Sequence, residues 1–533
     1  NPFTTRWAST ISPPSIRKED LTISYLRDSL LPTSFDPTAT RSVAGPFSLV
    51  RTIARLLLLV LSCVGMHSAH GADQPLNVVW IIVDDMSANL SCYGEKLIET
   101  PHVDALAKRG VRFSQAFVTA PVCSPCRSAL ITGCYQTTIG AHHHRSGRGV
   151  EKIHLPAGVE PIPAIFQRAG YFTSIGGPLV EGTNHLGKTD YNFEWNASIY
   201  DGNDWRTRKP KQPFFAQIQL HGGKYRGQGP RHPWNRQVPS LLGSKVNPKN
   251  VELPPYYPRD PLLQEDWANY LDAVRFTDRQ VGEVIERLEA DGILDQTVIF
   301  FMTDHGISHA RGKQFCYDEG IRVPLVVAGP GIPVNAIRDD LVEHIDLAAT
   351  SLALAKISIP VTMQGRDLFA PTYQRREYVF AARDRCDETV DHIRSVRSAD
   401  WKYIRNYLPD RPHLQPNLYK DGKEIIQRLR ELHTDGRLTT LQEKLLFSSA
   451  RPADELYHLT DDPFETVNLA DDPAYKDQLE QMRLALSRWE IQTNDLGREP
   501  ESPAMYQSDM AVYKVERAGQ RVPQKKKEKS SSP

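Results

Sequence analysis

Residues Asn77 to Val83 read NVVWIIV, a near-continuous apolar run rich in β-branched side chains that ends in Asp84-Asp85. A run of that kind predicts a parallel strand buried on both faces. A second one, Val298 to Met302 (VIFFM), ends in Thr303-Asp304-His305-Gly306. Ligands of open α/β sheets bind beyond the carboxyl ends of the strands, so these two acidic termini are placed to meet. Apolar residues at Trp267, Tyr270, Leu271, Val274, Val281, Val284, Ile285 and Leu288 have helical spacing, and Gly292 marks the stop. Further strands are expected at Phe214 to Leu220 and Pro324 to Ala328. The alternation predicts a mostly parallel, doubly wound α/β sheet over residues 73–375.

Beyond about residue 375 the pattern shifts to short strands, at Tyr378 to Ala382, Trp401 to Arg405 and Asp454 to Leu459, around a polar helical stretch. A smaller α+β domain over 376–505 is expected there, followed by a disordered basic tail over 506–533. Arg51 and Arg55 precede the apolar run Leu56 to Val64, which closes in small residues near Ala69 and Ala72. Residues 51–72 therefore read as a signal peptide for export, secreted or periplasmic. The run is too short to span a bilayer, so no stable membrane anchor is expected. Residues 1–50, rich in Ser, Thr, Pro and Arg, read as an extension from a mis-set start.

The 533-residue chain balances 64 basic against 64 acidic side chains, which gives no reason to expect nucleic acid or an anionic membrane as partner. Outside the leader there are six cysteines, Cys92, Cys123, Cys126, Cys134, Cys316 and Cys386, too sparse for a disulfide scaffold.

The chemistry concentrates in Cys123-Ser124-Pro125-Cys126-Arg127-Ser128-Ala129-Leu130-Ile131-Thr132-Gly133. Ser124 suits an N-cap, Pro125 the first helical position and Gly133 the end, which predicts a two-turn helix with Cys123 at its positive end. Arg127 lies one turn on, so an anion arriving at Cys123 meets free backbone N–H groups and a guanidinium. Cys-x-x-Cys also occurs in redox pairs and zinc sites, but no second such pair and no thioredoxin-like context accompany it.

CSPCRSALITG resembles the sulfatase signature Cys-x-Pro-x-Arg…Thr-Gly. The likeness runs from about residue 75 to 470, through Val83 to Asp85, Thr303 to Gly306, GIRVPLVVAGP at Gly320 to Pro330 and NLA at Asn468 to Ala470. From Asp278 to Tyr317 it is closest to the heparan N-sulfatase branch. The resemblance implies an alkaline-phosphatase-like catalytic domain with a smaller C-terminal one. It also implies a sulfated carbohydrate substrate and a maturation enzyme that oxidises Cys123 to formylglycine. The aldehyde hydrate of that residue carries two hydroxyls on one carbon, one to attack sulfur and one to expel it. The implied metal is one divalent cation, calcium, held by Asp84, Asp85, residue 123, Asp304 and His305. His305 stands where Asn is commoner and brings a nitrogen donor.

Two lysines are family-implied sulfate binders, Lys313 in Arg311-Gly312-Lys313 and Lys188 in Gly187-Lys188-Thr189-Asp190. Asp190 stands where the family has histidine, and Asn184-His185-Leu186-Gly187 offers a competing alignment, so the leaving-group acid stays open between His185 and others. After PFFAQIQL, where a Pro-His pair is frequent, the chain has His221-Gly222-Gly223-Lys224; Lys224 aligns with that histidine and His221 is the alternative. His142-His143-His144 is expected to border the cleft rather than form a metal tract. Arg383, Arg385, Asp387, Asp391 and His392 are candidate glycan contacts. A phosphoesterase or phosphonate hydrolase, and an inactive glycan-binding relative, are the competing readings.

Overall fold

The two apolar runs lie side by side at the centre of one sheet. A computed structural model describes residues 75–178 and 186–517; the leader, the extension before it and His185 lie outside the described residues. Strands β1 (Asn77–Val83), β2 (Gly110–Phe117), β3 (Phe172–Gly176), β4 (Phe214–Leu220), β5 (Thr297–Thr303), β6 (Arg322–Ala328) and β7 (Ala336–Arg338) stand in the order β3-β4-β1-β5-β6-β2-β7, and β8 (Val342–Glu343) pairs with β2. The four strands β3, β4, β1 and β5 are parallel, whereas β6 is antiparallel to both β5 and β2. The mostly parallel expectation therefore holds, with one reversed strand.

Every residue of β1 is buried, as its continuous apolar pattern requires. Val78, Trp80 and Ile82 face one core, shared with Cys126, Leu130 and Ile131 of the signature helix Cys123–Thr132. Val79, Ile81 and Val83 face the other, shared with Tyr270, Leu271, Val274 and Val281 of the long helix Pro261–Ala290. That helix begins six residues before the expected stretch because Asp260 caps it, accepting from Leu262 N at 3.0 Å with Pro261 in the first position.

Strands β9 (Val379–Arg383), β10 (Ile393–Arg397), β11 (Trp401–Asn406) and β12 (Asp454–His458) form a second, antiparallel sheet in the order β12-β11-β10-β9. Leu479, Met482, Leu486 and Trp489 of helix Lys476–Gln492 pack on Val396, Tyr403 and Leu456. The disordered tail expected from residue 506 is corrected in its first part. Residues Pro503–Arg517 form a helix that buries Met510 and Tyr513 and ties Asp509 to Arg385 at 2.8 Å.

Candidate active site

Register brings the chemistry together. Val83 of β1 pairs with Leu220 of β4 on one side and Thr303 of β5 on the other, so Asp84-Asp85, His221 to Lys224 and Asp304-His305 leave the sheet at one level. The ladder continues one step further, with Asp84 N donating to Leu220 O at 3.0 Å and Asp304 N to Val83 O at 2.8 Å. Two glycines let the β4 loop press onto this edge. A Cβ on Gly222 would lie 2.2 Å from Asp84 O and one on Gly223 2.1 Å from Asp85 O, and Gly222 also has a φ of +53°. His221-Gly222-Gly223-Lys224 is thus the sequence of a backbone-to-backbone contact that aims Lys224 inward.

The signature helix starts two residues earlier than expected and runs ten residues. Val122 is its N-cap residue and lends no side chain, while Ser124 Oγ accepts from Arg145 N at 2.8 Å. Ser124 is therefore no cap; its hydroxyl ties the helix start to the His142–Arg145 loop. His344 braces the same turn: Thr119 N donates to His344 Nδ1 at 3.3 Å, and His344 Nε2 donates to Cys126 O at 3.0 Å.

Cys123, 4% exposed, is the first helical residue. Its Sγ lies 3.1 Å from Lys313 Nζ, 3.1 Å from His305 Nε2 and 3.9 Å from Lys224 Nζ. Burial opposes ionisation, but Lys188, Lys224 and Lys313 outweigh it and hold the thiol well below the usual range. Cys126, three residues on, faces the apolar core, and burial with nearby Asp304 drives its thiol well upward. The two cysteines of CSPC thus have opposite environments, and all six described cysteines are free thiols.

Around Cys123, Arg127 Nε donates to Asp304 Oδ2 at 3.0 Å and its Nη atoms donate to Asp84 and Gln219. Lys188 Nζ lies 3.0 Å from Asp84 Oδ1 and Lys224 Nζ 2.7 Å from Asp84 Oδ2. Lys313 Nζ donates to Asp85 Oδ1 at 3.0 Å. Burial would raise the Asp84 carboxyl, yet Lys188, Lys224 and Arg127 hold it well below its ordinary value. Asp304, completely buried and beside Asp84, is instead pushed up to about 6. Burial works against the Lys224 and Lys313 ammonium groups, but Asp84 and Asp85 keep both protonated.

Asp85, Cys123 and His305 offer ligand atoms that all lie within 4.8 Å of one another. Asp304 Oδ1 is 3.4 Å from His305 Nε2. His305 Nδ1 donates to Gly306 O at 2.9 Å, which turns the Nε2 lone pair toward these carboxylates, the arrangement metal-ligating histidines adopt. The carboxylate oxygens of Asp85 and Asp304 suit a divalent cation, and His305 adds a nitrogen donor.

Other expected residues are placed differently. His221 is exposed and its ring meets Tyr225 edge-on at 5.3 Å, away from the thiol. Asp190 sits 3.6 Å from Lys188 and pairs with Arg148. His142-His143-His144 makes no metal cluster among the described residues; His144 Nδ1 lies 3.1 Å from Asp387. The candidate glycan contacts Arg383, Arg385 and Asp391 are held in ion pairs: Arg383 and Arg451 clamp Asp391, and Arg385 is pinned by Asp509 and half-buried Glu501. Asn468 accepts from Leu456 N at 2.8 Å and fixes the β12 turn.

Tyr419 is the site residue the sequence did not reveal. Its hydroxyl donates to Asp85 Oδ2 at 3.1 Å and accepts from Lys313 Nζ at 3.4 Å, and that ammonium lies 4.8 Å from the ring centre. No local motif marks it, because its partner Asp85 is 334 positions away in the chain.

A buried thiol ringed by ammonium and guanidinium groups at the carboxyl ends of parallel strands is suited to chemistry on an oxyanion. The sulfatase family model matches residues 76–357, and the model of the N-sulphoglucosamine sulphohydrolase C-terminal region matches residues 305–448. An ulvan-active sulfatase of Formosa agariphila is 31% identical over 467 residues, covering 80% of this chain and 76% of its own. The human N-sulphoglucosamine sulphohydrolase is 26% identical over 462 residues, covering 79% and 91%. A solved structure in complex with its substrate D-glucosamine-2-N,6-O-disulfate shares the fold, with a TM-score of 0.53 at 18% identity over 79% of this chain and 99% of that one. The chain belongs to the sulfatase family and is a sulfuric ester hydrolase.

Proposed function

We propose that this enzyme releases sulfate from a sulfated saccharide, with Cys123 oxidised to formylglycine by a maturation enzyme and one calcium ion held by Asp84, Asp85, Asp304 and His305. The observation that carries this reading is the surround of residue 123, where Lys313 and His305 lie 3.1 Å from Sγ with Asp85 and Asp304 beside them. When bound, the cation supplies charge that acidifies a hydroxyl nucleophile and screens sulfuryl oxygens.

The chain's own groups do the rest. The first turn of the signature helix presents backbone N–H groups to an arriving oxyanion. Arg127 fixes the directions of Asp84 and Asp304. Lys313, fully enclosed, meets charge developing at residue 123, while Lys188 and Lys224, each about 30% exposed, reach in from the cleft mouth toward the sulfate. Lys224 is kept protonated by Asp84, opposed by burial, and stands where a proton for the leaving oxygen or nitrogen is needed. The relatives named above support a sugar carrying O-sulfate or N-sulfate as the substrate class. Export through residues 51–72 belongs to the same proposal; among the described residues no helix is long and apolar enough to cross a membrane.

The test is sulfate release from a panel of N- and O-sulfated saccharides by the matured enzyme and by Cys123→Ala. Release by the former and none by a folded Cys123→Ala is expected; equal turnover by both would overturn the assignment.

A further inference from the structure

A cavity of ≈ 290 Å³, open at one rim, lies beside the loop that carries Lys313 and is lined by Arg311, His413, Lys444, Ser448 and Arg451 among others. Two buried guanidinium groups facing this region are incompletely satisfied. Arg311, 1% exposed, donates through Nη2 to Glu465 O at 2.7 Å, but its Nη1 has no acceptor, and among the described residues it has no ion pair. Arg451 grips Asp391 through both Nη atoms, at 2.8 and 3.0 Å, and its Nε has no acceptor. Glu465 and Glu319 act on the Arg311 guanidinium without pairing with it directly, and a buried cation that lacks a paired carboxylate costs several kcal/mol. The faces of Tyr317 and Tyr256, 3.6 and 4.9 Å from the Arg311 guanidinium, offset only part of that.

The one carboxylate lining the cavity, Glu455, is already engaged, by the hydroxyls of Tyr317 and Tyr457 and by Asn406 Nδ2. At the rim, Lys444 is exposed and belongs to a π-helical turn, Glu443–Phe447. Turns of that type are costly and recur at functional sites. An acceptor-rich group of negative charge would satisfy both orphaned N–H groups and the rim ammonium together. Water would satisfy the donors without balancing the charge.

We propose that this cavity is a second anion site, separate from the catalytic centre, which binds a free tetrahedral oxyanion, inorganic sulfate or phosphate, between Arg311 and Arg451. Arg311 is two residues from Lys313, and His413 Nε2 donates to Ala310 O at 3.0 Å, so an ion held there braces the loop that carries Lys313. The site depends on none of the residues assigned to sulfate release.

The test uses Cys123→Ala protein. Crystals soaked in selenate, a sulfate mimic with an anomalous signal, are expected to show an anomalous peak in the cavity as well as beside residue 123. Calorimetric titration with sulfate, and separately with phosphate, is expected to need two sites. Adding the exposed rim change Lys444→Glu should weaken one of them about tenfold, since it replaces an attractive charge by a repulsive one. Arg311→Met should abolish that site. Should that variant fail to fold, the Lys444→Glu titration and the crystal still decide. The titration that shows the second site identifies its natural occupant as sulfate or phosphate. Water alone in the cavity, or a two-site titration unchanged by Lys444→Glu, would overturn the proposal.

Discussion

Replacing Gly223 by alanine should damage catalysis far more than folding. The added Cβ would stand 2.1 Å from Asp85 O and 3.2 Å from Tyr270 Cδ2. A carbon and a carbonyl oxygen need more than 3 Å, so one of the two backbones must move by about 1 Å, and a side-chain rotation cannot relieve the clash. Overpacking of this size costs about 1–3 kcal/mol of stability, which a domain of this extent survives. The same displacement carries off Asp85, whose carboxylate meets Lys313 at 3.0 Å and Tyr419 at 3.1 Å, or else Lys224 on the next residue. A misplacement of about 1 Å in a catalytic group lowers turnover by roughly 100-fold. The assay is kcat/KM for sulfate release beside thermal unfolding. Gly243→Ala is the control, because Gly243 has a φ of +75° and nothing within 4 Å, so that change strains the backbone without touching the site. Loss of activity in Gly223→Ala no greater than in the control would refute the claim that this glycine sets the site's geometry.

Two further changes probe the supports of the site. Tyr419→Phe keeps the ring beside Lys313 but removes the hydroxyl that holds Asp85. It should weaken affinity for the proposed divalent cation, read by titration of the metal-free enzyme, by roughly 10-fold or more, as losses among outer-shell partners of metal ligands do; unchanged affinity would remove Tyr419 from the site. His344 is buried neutral, its ionisation pushed down to about 4 by burial, whereas an unfolded histidine takes a proton near 6.5. Its contribution to stability is thus complete above about pH 6.5 and is lost as pH falls toward 4, by about 2 kcal/mol between roughly pH 7 and pH 5. Denaturant unfolding of His344→Gln should show a correspondingly smaller loss over that range than the parent, and identical pH slopes would contradict the buried neutral state.

How much was legible in the sequence depends on where the determining partner lies. Strands β1 and β4 read out to the residue, because burial on both faces or nearly so leaves an apolar run with sharp polar ends. Strand β2 (GVRFSQAF) escaped notice, since Arg112, Ser114 and Gln115 interrupt it where it is only half buried. Asp84, Asp85, Asp304, His305, Arg127 and Lys224 come together because each sits just past a strand or on the first turns of a helix, whereas Lys188 and Lys313 reach the same place from long loops. The N-cap reading of Ser124 failed for a tertiary reason: the loop at Arg145 N claims its hydroxyl. Arg383, Arg385 and Asp391 looked like surface contacts because a charge run carries no sign of its partners, and Arg451, Glu501 and Asp509 bury them. Tyr419 was invisible for the same cause.

The central claim, that residue 123 is the nucleophile in oxidised form, is tested most directly by the mass of the peptide containing Cys123, taken from protein produced with a maturation enzyme. The account predicts the mass of formylglycine at that position, and sulfate release that rises in proportion to the oxidised fraction. An unmodified thiol at position 123 in fully active enzyme would contradict it.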